Sequence, residues 1–208
     1  RLCVDTGYFE TFNKENVHLI DLHSSPIKRI GKSNIEADQE YEIDTLILAT
    51  GFDAMTGALT SLDIIGRKGI VLRDQWNQGA KSYLGLGVSN FPNLFTITGP
   101  GSPSVLSNMM PSIEQHVNWI ADCISWMIDN DKSVIESSIA AEEEWMNLVN
   151  EIAGMTIFKS TESWYNGSNI DSKAKAFLPF IGVPMYTEKL DEITENNYQG
   201  FIFDVSNK

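Results

Sequence analysis

An apolar run, Asn93–Thr98 (NLFTIT), breaks off at Gly99-Pro100-Gly101, and an amphipathic helix pattern follows. This succession constrains the fold more than any other feature of the chain. An aliphatic and aromatic run bounded by Pro92 and Gly99 reads as a buried strand, and Gly-Pro-Gly reads as a loop. Ser112 then stands before Ile113-Glu114-Gln115, with Gln115 three residues on, which is a capping-box pattern. Ile113, Val117, Ile120, Ile124 and Met127 recur at spacings of four and three, so they share one helix face. Asn130-Asp131 is the expected end. Strand, Gly-rich loop and helix recur in that order in nucleotide-binding sheets, and the chain is expected to be α/β.

The remaining segments fit that class. Val17–Asp21 (VHLID) and Thr45–Thr50 (TLILAT) read as short buried strands. The second lacks alternation, as expected of a parallel sheet covered on both faces. Ile30–Glu42 is polar, carries Gly31 and reads as a hairpin or meander. Gly69–Leu72 is a further candidate strand, and Trp76–Tyr83 a polar loop. A second helix is expected from Ser137 to Ile152, with an acidic patch at Glu142–Glu144. Ile139, Trp145, Leu148, Val149 and Ile152 would form its apolar face. Ser163–Lys175 reads as a long loop, Leu178–Pro184 as an apolar Pro-bounded stretch, Tyr186–Asn196 as a short helix, and Phe201–Asp204 as a closing strand.

Composition narrows the function. The 208 residues suffice for one domain or parts of two. With 42% apolar and 21% charged residues the chain is not of the disordered class. The net charge of −13 disfavours nucleic acid and anionic membrane as partners, since both carry the same sign. No apolar run reaches the roughly 18 residues that a membrane span requires. Cys3 and Cys123 lie far apart and form no metal-spaced cluster, which suits a reduced, cytoplasmic chain. The sequon Asn166-Gly167-Ser168 reads as chance. His18, His23 and His116 are scattered, and His116, on the first helix, reads as a surface or satisfied structural histidine. The absence of Gly-x-Ser-x-Gly leaves hydrolase chemistry without support. The chain opens on Arg1 rather than Met, for which truncation is the simplest account.

By pattern alone the candidate cofactor motifs are weak. Gly99-x-Gly101 is not a full G-x-G-x-x-G, because Ser104 occupies the last position, and Gly85-Leu86-Gly87 fails at Asn90. An ordinary strand-to-helix turn explains either. Trp164, in Ser163-Trp164-Tyr165-Asn166-Gly167, is either a loop anchor or a ring that stacks on a planar ligand.

Several segments taken together are more specific. RLCVDTGYFE (Arg1–Glu10), ATGFDAMTGAL (Ala49–Leu59), YLGLG (Tyr83–Gly87), FPNLF (Phe91–Phe95), GPGSPSVLSNM (Gly99–Met109), SIEQHVNW (Ser112–Trp119), SWYNGSN (Ser163–Asn169) and YQGFIF (Tyr198–Phe203) occur in an order that resembles the second half of a Baeyer–Villiger monooxygenase. The resemblance covers nearly the whole chain. It implies part of a flavoprotein monooxygenase fold with two dinucleotide-binding domains. Residues 1–48 would end the NADP domain, and residues 49–208 would form the carboxy-terminal part of the FAD domain, with a mobile loop near 160–175. It also implies FAD and NADPH as cofactors, with a small-molecule ketone and O2 as substrates. The remaining amino-terminal part of the same enzyme would be the partner, because the phosphate-binding G-x-G-x-x-G motifs and the family fingerprint do not occur here.

The resemblance carries roles onto individual positions. Arg1, seven residues before Tyr8, matches the catalytic arginine, whose permanent charge would serve both reduction and oxygenation. Asn108 and Met109 match the flavin contact. Ser104, Val105 and Leu106 match the loop lining the substrate pocket, which would select a ketone by shape. Trp164 matches a tryptophan on a loop that closes over NADP. Thr50, Gly51 and Asp53 match the crossover between the nucleotide domains. Two other readings stand beside this one: a related flavin monooxygenase acting on nitrogen or sulfur, and a non-catalytic interaction module.

Overall fold

The computed structural model describes residues 5–103, 107–160, 166–167 and 182–204. It divides into two compact units, Arg1–Thr50 and Gly51–Lys208.

In the first unit, helix α1 (Tyr8–Thr11) is a single turn, held where Asp5 Oδ1 accepts the Tyr8 N–H at 2.8 Å. Tyr8 stands edge-on to Phe9 and to Phe12, each at 5.3 Å between ring centroids. Strands β1 (Arg29–Ile30), β2 (Asn34–Glu36) and β3 (Glu40–Glu42) form the expected meander, an antiparallel sheet in that order with Ile35 opposite Tyr41. The two expected buried strands are absent. Val17–Asp21 and Thr45–Thr50 are irregular, and Ile47 and Leu48 are 82% and 72% exposed. A strand exists only by pairing with a neighbour, and no segment among the described residues pairs with either run.

The second unit is mainly helical around one core. Helix α2 (Gly57–Thr60) is short. The Gly69–Leu72 segment is not a strand. A 3-10 turn at Arg67–Gly69 and helix α3 (Leu72–Gln75) occupy it, with a lone bridge between Ile65 and Val71. Trp76 is buried rather than part of a polar loop. Its indole N–H donates to Lys81 O at 2.9 Å, and it packs with Leu72, Ala80, Val88 and Phe91 in a small satellite cluster. Asn93–Thr98 forms no strand either, only a bridge from Phe95 to Gly87.

Helix α4 (Met109–Asp129) is longer than its pattern suggests. Its N-cap is Asn108, whose side chain accepts the Met110 N–H at 3.2 Å. Ser112 lies inside the helix, so the capping-box reading is wrong. Pro111 was the overlooked signal: proline suits a first turn, where its missing N–H is no loss. The buried stripe is Ser112, His116, Trp119, Cys123 and Met127, mostly one residue earlier than the expected aliphatic face. The reason is polar. Trp119 donates to Thr194 Oγ1 at 3.0 Å and His116 meets Tyr186 at 2.9 Å, both on helix α6 (Val183–Glu195), while Val117 and Ile124 stay exposed.

Helix α5 (Ile139–Gly154) is capped by Ser138, whose hydroxyl accepts the Ala141 N–H at 3.2 Å. Its expected face holds at Trp145 and Val149 but not at Ile139, which is exposed. Strands β4 (Ile135–Ser137) and β5 (Phe201–Phe203) pair antiparallel, with Glu136 opposite Ile202. The main core lies between α4, α5 and α6, where Trp119, Cys123, Trp145, Val149, Tyr186 and Leu190 meet.

Candidate functional site

Two loops interlock at the centre of the second unit. Residues 82–89 are buried, and so are residues 99–103. Thr96 N–H donates to Leu86 O at 2.8 Å, and Thr96 Oγ1 donates to Gly85 O at 2.8 Å. Gly99 N–H reaches the same Gly85 carbonyl at 3.2 Å. Ser82 Oγ donates to Pro100 O and accepts the Gly85 N–H. Glycine at position 85 is obligatory. Its φ is +75°, and a Cβ there would fall 2.5 Å from Ser102 Cβ.

Each long helix then clamps the knot through a side chain. Trp145 of α5 donates its indole N–H to Gly101 O at 3.0 Å. Tyr186 of α6 donates to Leu84 O at 2.6 Å. From α4, His116 Nδ1 accepts the Thr98 N–H at 2.9 Å. Thr98 has φ +51°, a conformation in which a β-branched residue is strained by about 1–3 kcal/mol. Burial pulls the His116 pKa down to about 4, so the ring is neutral at ordinary pH.

This knot leads to the amino terminus of α4. A helix start presents free N–H groups and partial positive charge to whatever lies before it. Two buried hydroxyls, Ser102 Oγ in the loop and Ser112 Oγ in the helix, have no hydrogen-bond partner among the described residues. Buried orphans of this kind call for an explanation. On α5, Glu142 is buried, with Oε2 accepting the Ser89 N–H at 2.8 Å and Oε1 the Ser89 hydroxyl at 2.9 Å. Burial raises its pKa against the lowering effect of those two bonds.

Among the expected site residues, the structure sets Asn108 and Met109 at the start of α4, with Asn108 as its cap and Met109 half-buried. Thr50 and Gly51 are exposed and flank the division between the units, with Gly51 at φ +80°. Asp53 is also exposed, and its carboxylate lies against Gly57 at the start of α2. Arg1, Ser104, Val105, Leu106 and Trp164 lie outside the described residues. His116 proves to be the satisfied structural histidine expected. Glu142, read from the sequence as part of an acidic patch with Glu143 and Glu144, is buried. Its spacing to Trp145, Met146, Val149 and Ala153 puts it on the buried stripe, and that spacing is visible in the sequence.

No protein-family model matches the chain. Curated relatives do. Cyclohexanone 1,2-monooxygenase of Acinetobacter sp is 38% identical over 203 residues, which is 96% of this chain and 37% of that protein. A Baeyer–Villiger monooxygenase of Pseudooceanicola batsensis is 38% identical over 206 residues, 98% of this chain and 37% of that protein. The chain matches the carboxy-terminal part of the Baeyer–Villiger monooxygenases. It spans about 37% of the length of these relatives. A crystal structure of a Baeyer–Villiger-type protein, OTEMO in complex with FAD and NADP, superposes with a TM-score of 0.84 at 34% identity, covering 96% of this chain and 37% of that one. The α/β class and the partial character of the Baeyer–Villiger fold follow from this match.

Proposed function

We propose that this chain forms the carboxy-terminal side of the active site of a monooxygenase that uses FAD and NADPH to insert one oxygen atom of O2 beside a ketone carbonyl, giving an ester or lactone. The observation that carries the reading is the match along 96–98% of the chain to ketone-oxidising and Baeyer–Villiger enzymes. The rest of the enzyme, amino-terminal to this segment, is its partner. A buried free thiol at Cys123 fits a reducing cytoplasm. Among the described residues no helix is long and apolar enough to cross a membrane.

The residues present fit a flavin. Among the described residues the Ser102 and Ser112 hydroxyls have no hydrogen-bond partner, and the start of α4 carries partial positive charge, which suits the acceptor-rich pyrimidine edge of an isoalloxazine ring. When bound, FAD supplies the electron transfer from NADPH to O2. The chain's own part is to hold and enclose. Asn108 and Met109 would place the α4 backbone against the ring. Ser104, Val105 and Leu106 would shape an apolar pocket for the ketone. Trp164 would close over NADP and exclude water, and Arg1 would hold a fixed positive charge where negative charge develops. Thr50, Gly51 and Asp53 would carry the chain between an NADP domain ending near residue 48 and an FAD domain beginning near residue 49. The division of the structure after Thr50 supports that last assignment.

The test is NADPH oxidation by the enzyme that carries this segment, against cyclic and aryl ketones with product analysis. Ketone-dependent consumption with ester or lactone formed is expected. Turnover confined to amines or sulfides would reassign the substrate class, and NADPH oxidation that no substrate stimulates would overturn the reading.

A further inference from the structure

The His116 imidazole is fully buried, and its surroundings permit one tautomer. A backbone N–H can only donate, so Nδ1, facing the Thr98 N–H, carries no proton. The Tyr186 hydroxyl spends its proton on Leu84 O and has only lone pairs left for Nε2 at 2.9 Å, so Nε2 carries the proton. One neutral ring thus joins the Thr98–Pro103 loop on one side to the Tyr83–Gly87 loop on the other, through Tyr186. The two sides are not equivalent. The Leu84 side also holds a left-handed residue, with Leu84 at φ +62°, but inside a turn that the Tyr83–Gly87 backbone pair closes at 2.7 and 3.1 Å. The Thr98 side is a β-branched residue at φ +51°, which persists only if its surroundings fix it. Gly99, next in the chain, is the point at which the loop toward α4 locks onto Gly85.

We propose that His116 is a positioning residue for the site: its Nδ1 holds Thr98 in the left-handed conformation and so sets the course of the 98–103 loop that precedes α4. The inference rests on the functional reading above for what that loop serves. His116 acts through Thr98 and touches no substrate. A histidine retained only for stability would contribute equally through both ring nitrogens. A positioning histidine depends on Nδ1.

The ring can be divided by substitution. Asparagine offers an amide oxygen close to the Nδ1 position, and glutamine offers polar atoms close to the Nε2 position. His116→Asn therefore keeps the bond to Thr98 and loses Tyr186, and His116→Gln does the reverse. Tyr186→Phe removes the Tyr186 side and leaves Nδ1 intact. Two readouts are taken on the enzyme that carries this segment: amide hydrogen–deuterium exchange over Thr96–Ser102, and ester formed per NADPH consumed. His116→Gln is expected to raise exchange about tenfold, the equivalent of one lost buried hydrogen bond, and to lower the ester yield. His116→Asn and Tyr186→Phe should stay within about twofold of the parent in both readouts, even though each removes a comparable bond. Equal exchange in His116→Gln and His116→Asn, or Tyr186→Phe as damaging as His116→Gln, would overturn the proposal. Exchange that separates the variants in a protein oxidising no ketone would uphold the hold on Thr98 and reject the oxygenase reading instead.

Discussion

The Glu142 carboxylate grips both donors of Ser89, with Oε2 on the backbone N–H at 2.8 Å and Oε1 on the hydroxyl at 2.9 Å. Helix α5 is thereby tied to the end of the buried stretch 82–89. Glu142→Ala strands two buried donors and is expected to cost roughly 2–4 kcal/mol, read from urea unfolding. Glu142→Gln retains an acceptor and a donor and is expected to cost less. Burial raises the Glu142 pKa in the fold, so the group is harder to ionise folded than unfolded. Its contribution is therefore greatest when protonated, and declines as pH rises from the ordinary glutamate range through the raised value. The stability of the parent relative to Glu142→Gln should fall over that interval. A difference that grows with pH would show the sign to be wrong.

Gly85→Ala should be among the most damaging single changes in the second unit. The residue has φ +75°, and the new Cβ would meet Ser102 Cβ at 2.5 Å and Ser102 N at 2.9 Å. Neither neighbour is the loose end of a flexible side chain. A loss of about 2 kcal/mol or more is expected, measured as a lowered unfolding midpoint with an unchanged slope. Gly69→Ala is the control, since its φ is +79° but nothing lies within 4 Å, and it should cost less.

The start of α4 can be settled by two substitutions. Asn108→Ala removes the observed cap and should cost about 1 kcal/mol. Ser112→Ala removes an unpartnered buried hydroxyl and should be neutral or slightly stabilising in the absence of flavin. The reverse order would restore Ser112 as the cap.

Arg1→Ala, in the enzyme that carries this segment, is expected to abolish ester formation if Arg1 supplies the charge proposed for the oxygenation step. Normal ester or lactone yield in that variant would remove Arg1 from the mechanism.

Local signals were legible in the sequence, and dependent ones were not. The three long helices and the β1–β3 meander follow from patterns contained within each segment, so they were found to within a few residues. The Leu46–Leu48 run carries the composition of a covered parallel strand, but composition does not supply a neighbour, and Ile47 and Leu48 stand exposed. Helix α4 was found but turned by one position, because hydrophobicity alone cannot foresee that His116 and Trp119 would find polar partners on α6. The candidate site was readable mainly through resemblance. By pattern, Gly99–Gly101 was an ordinary turn, and the hydrogen bonds that make it a knot come from residues such as Ser82 and Trp145, far away in sequence.

The interlock of Ser82–Gly87 with Thr96–Ser102 bears on how this chain can be recombined with its relatives. Neither loop has its shape without the other: Gly85 is small for the sake of Ser102, and Thr96 is spent on Gly85. A chimera whose crossover falls between Gly87 and Thr96 inherits two halves shaped in different parents, and mutual strain is its expected result. A crossover before Ser82 or after Pro103 transfers the pair intact. For the breeder of new substrate ranges, these two loops are one heritable unit.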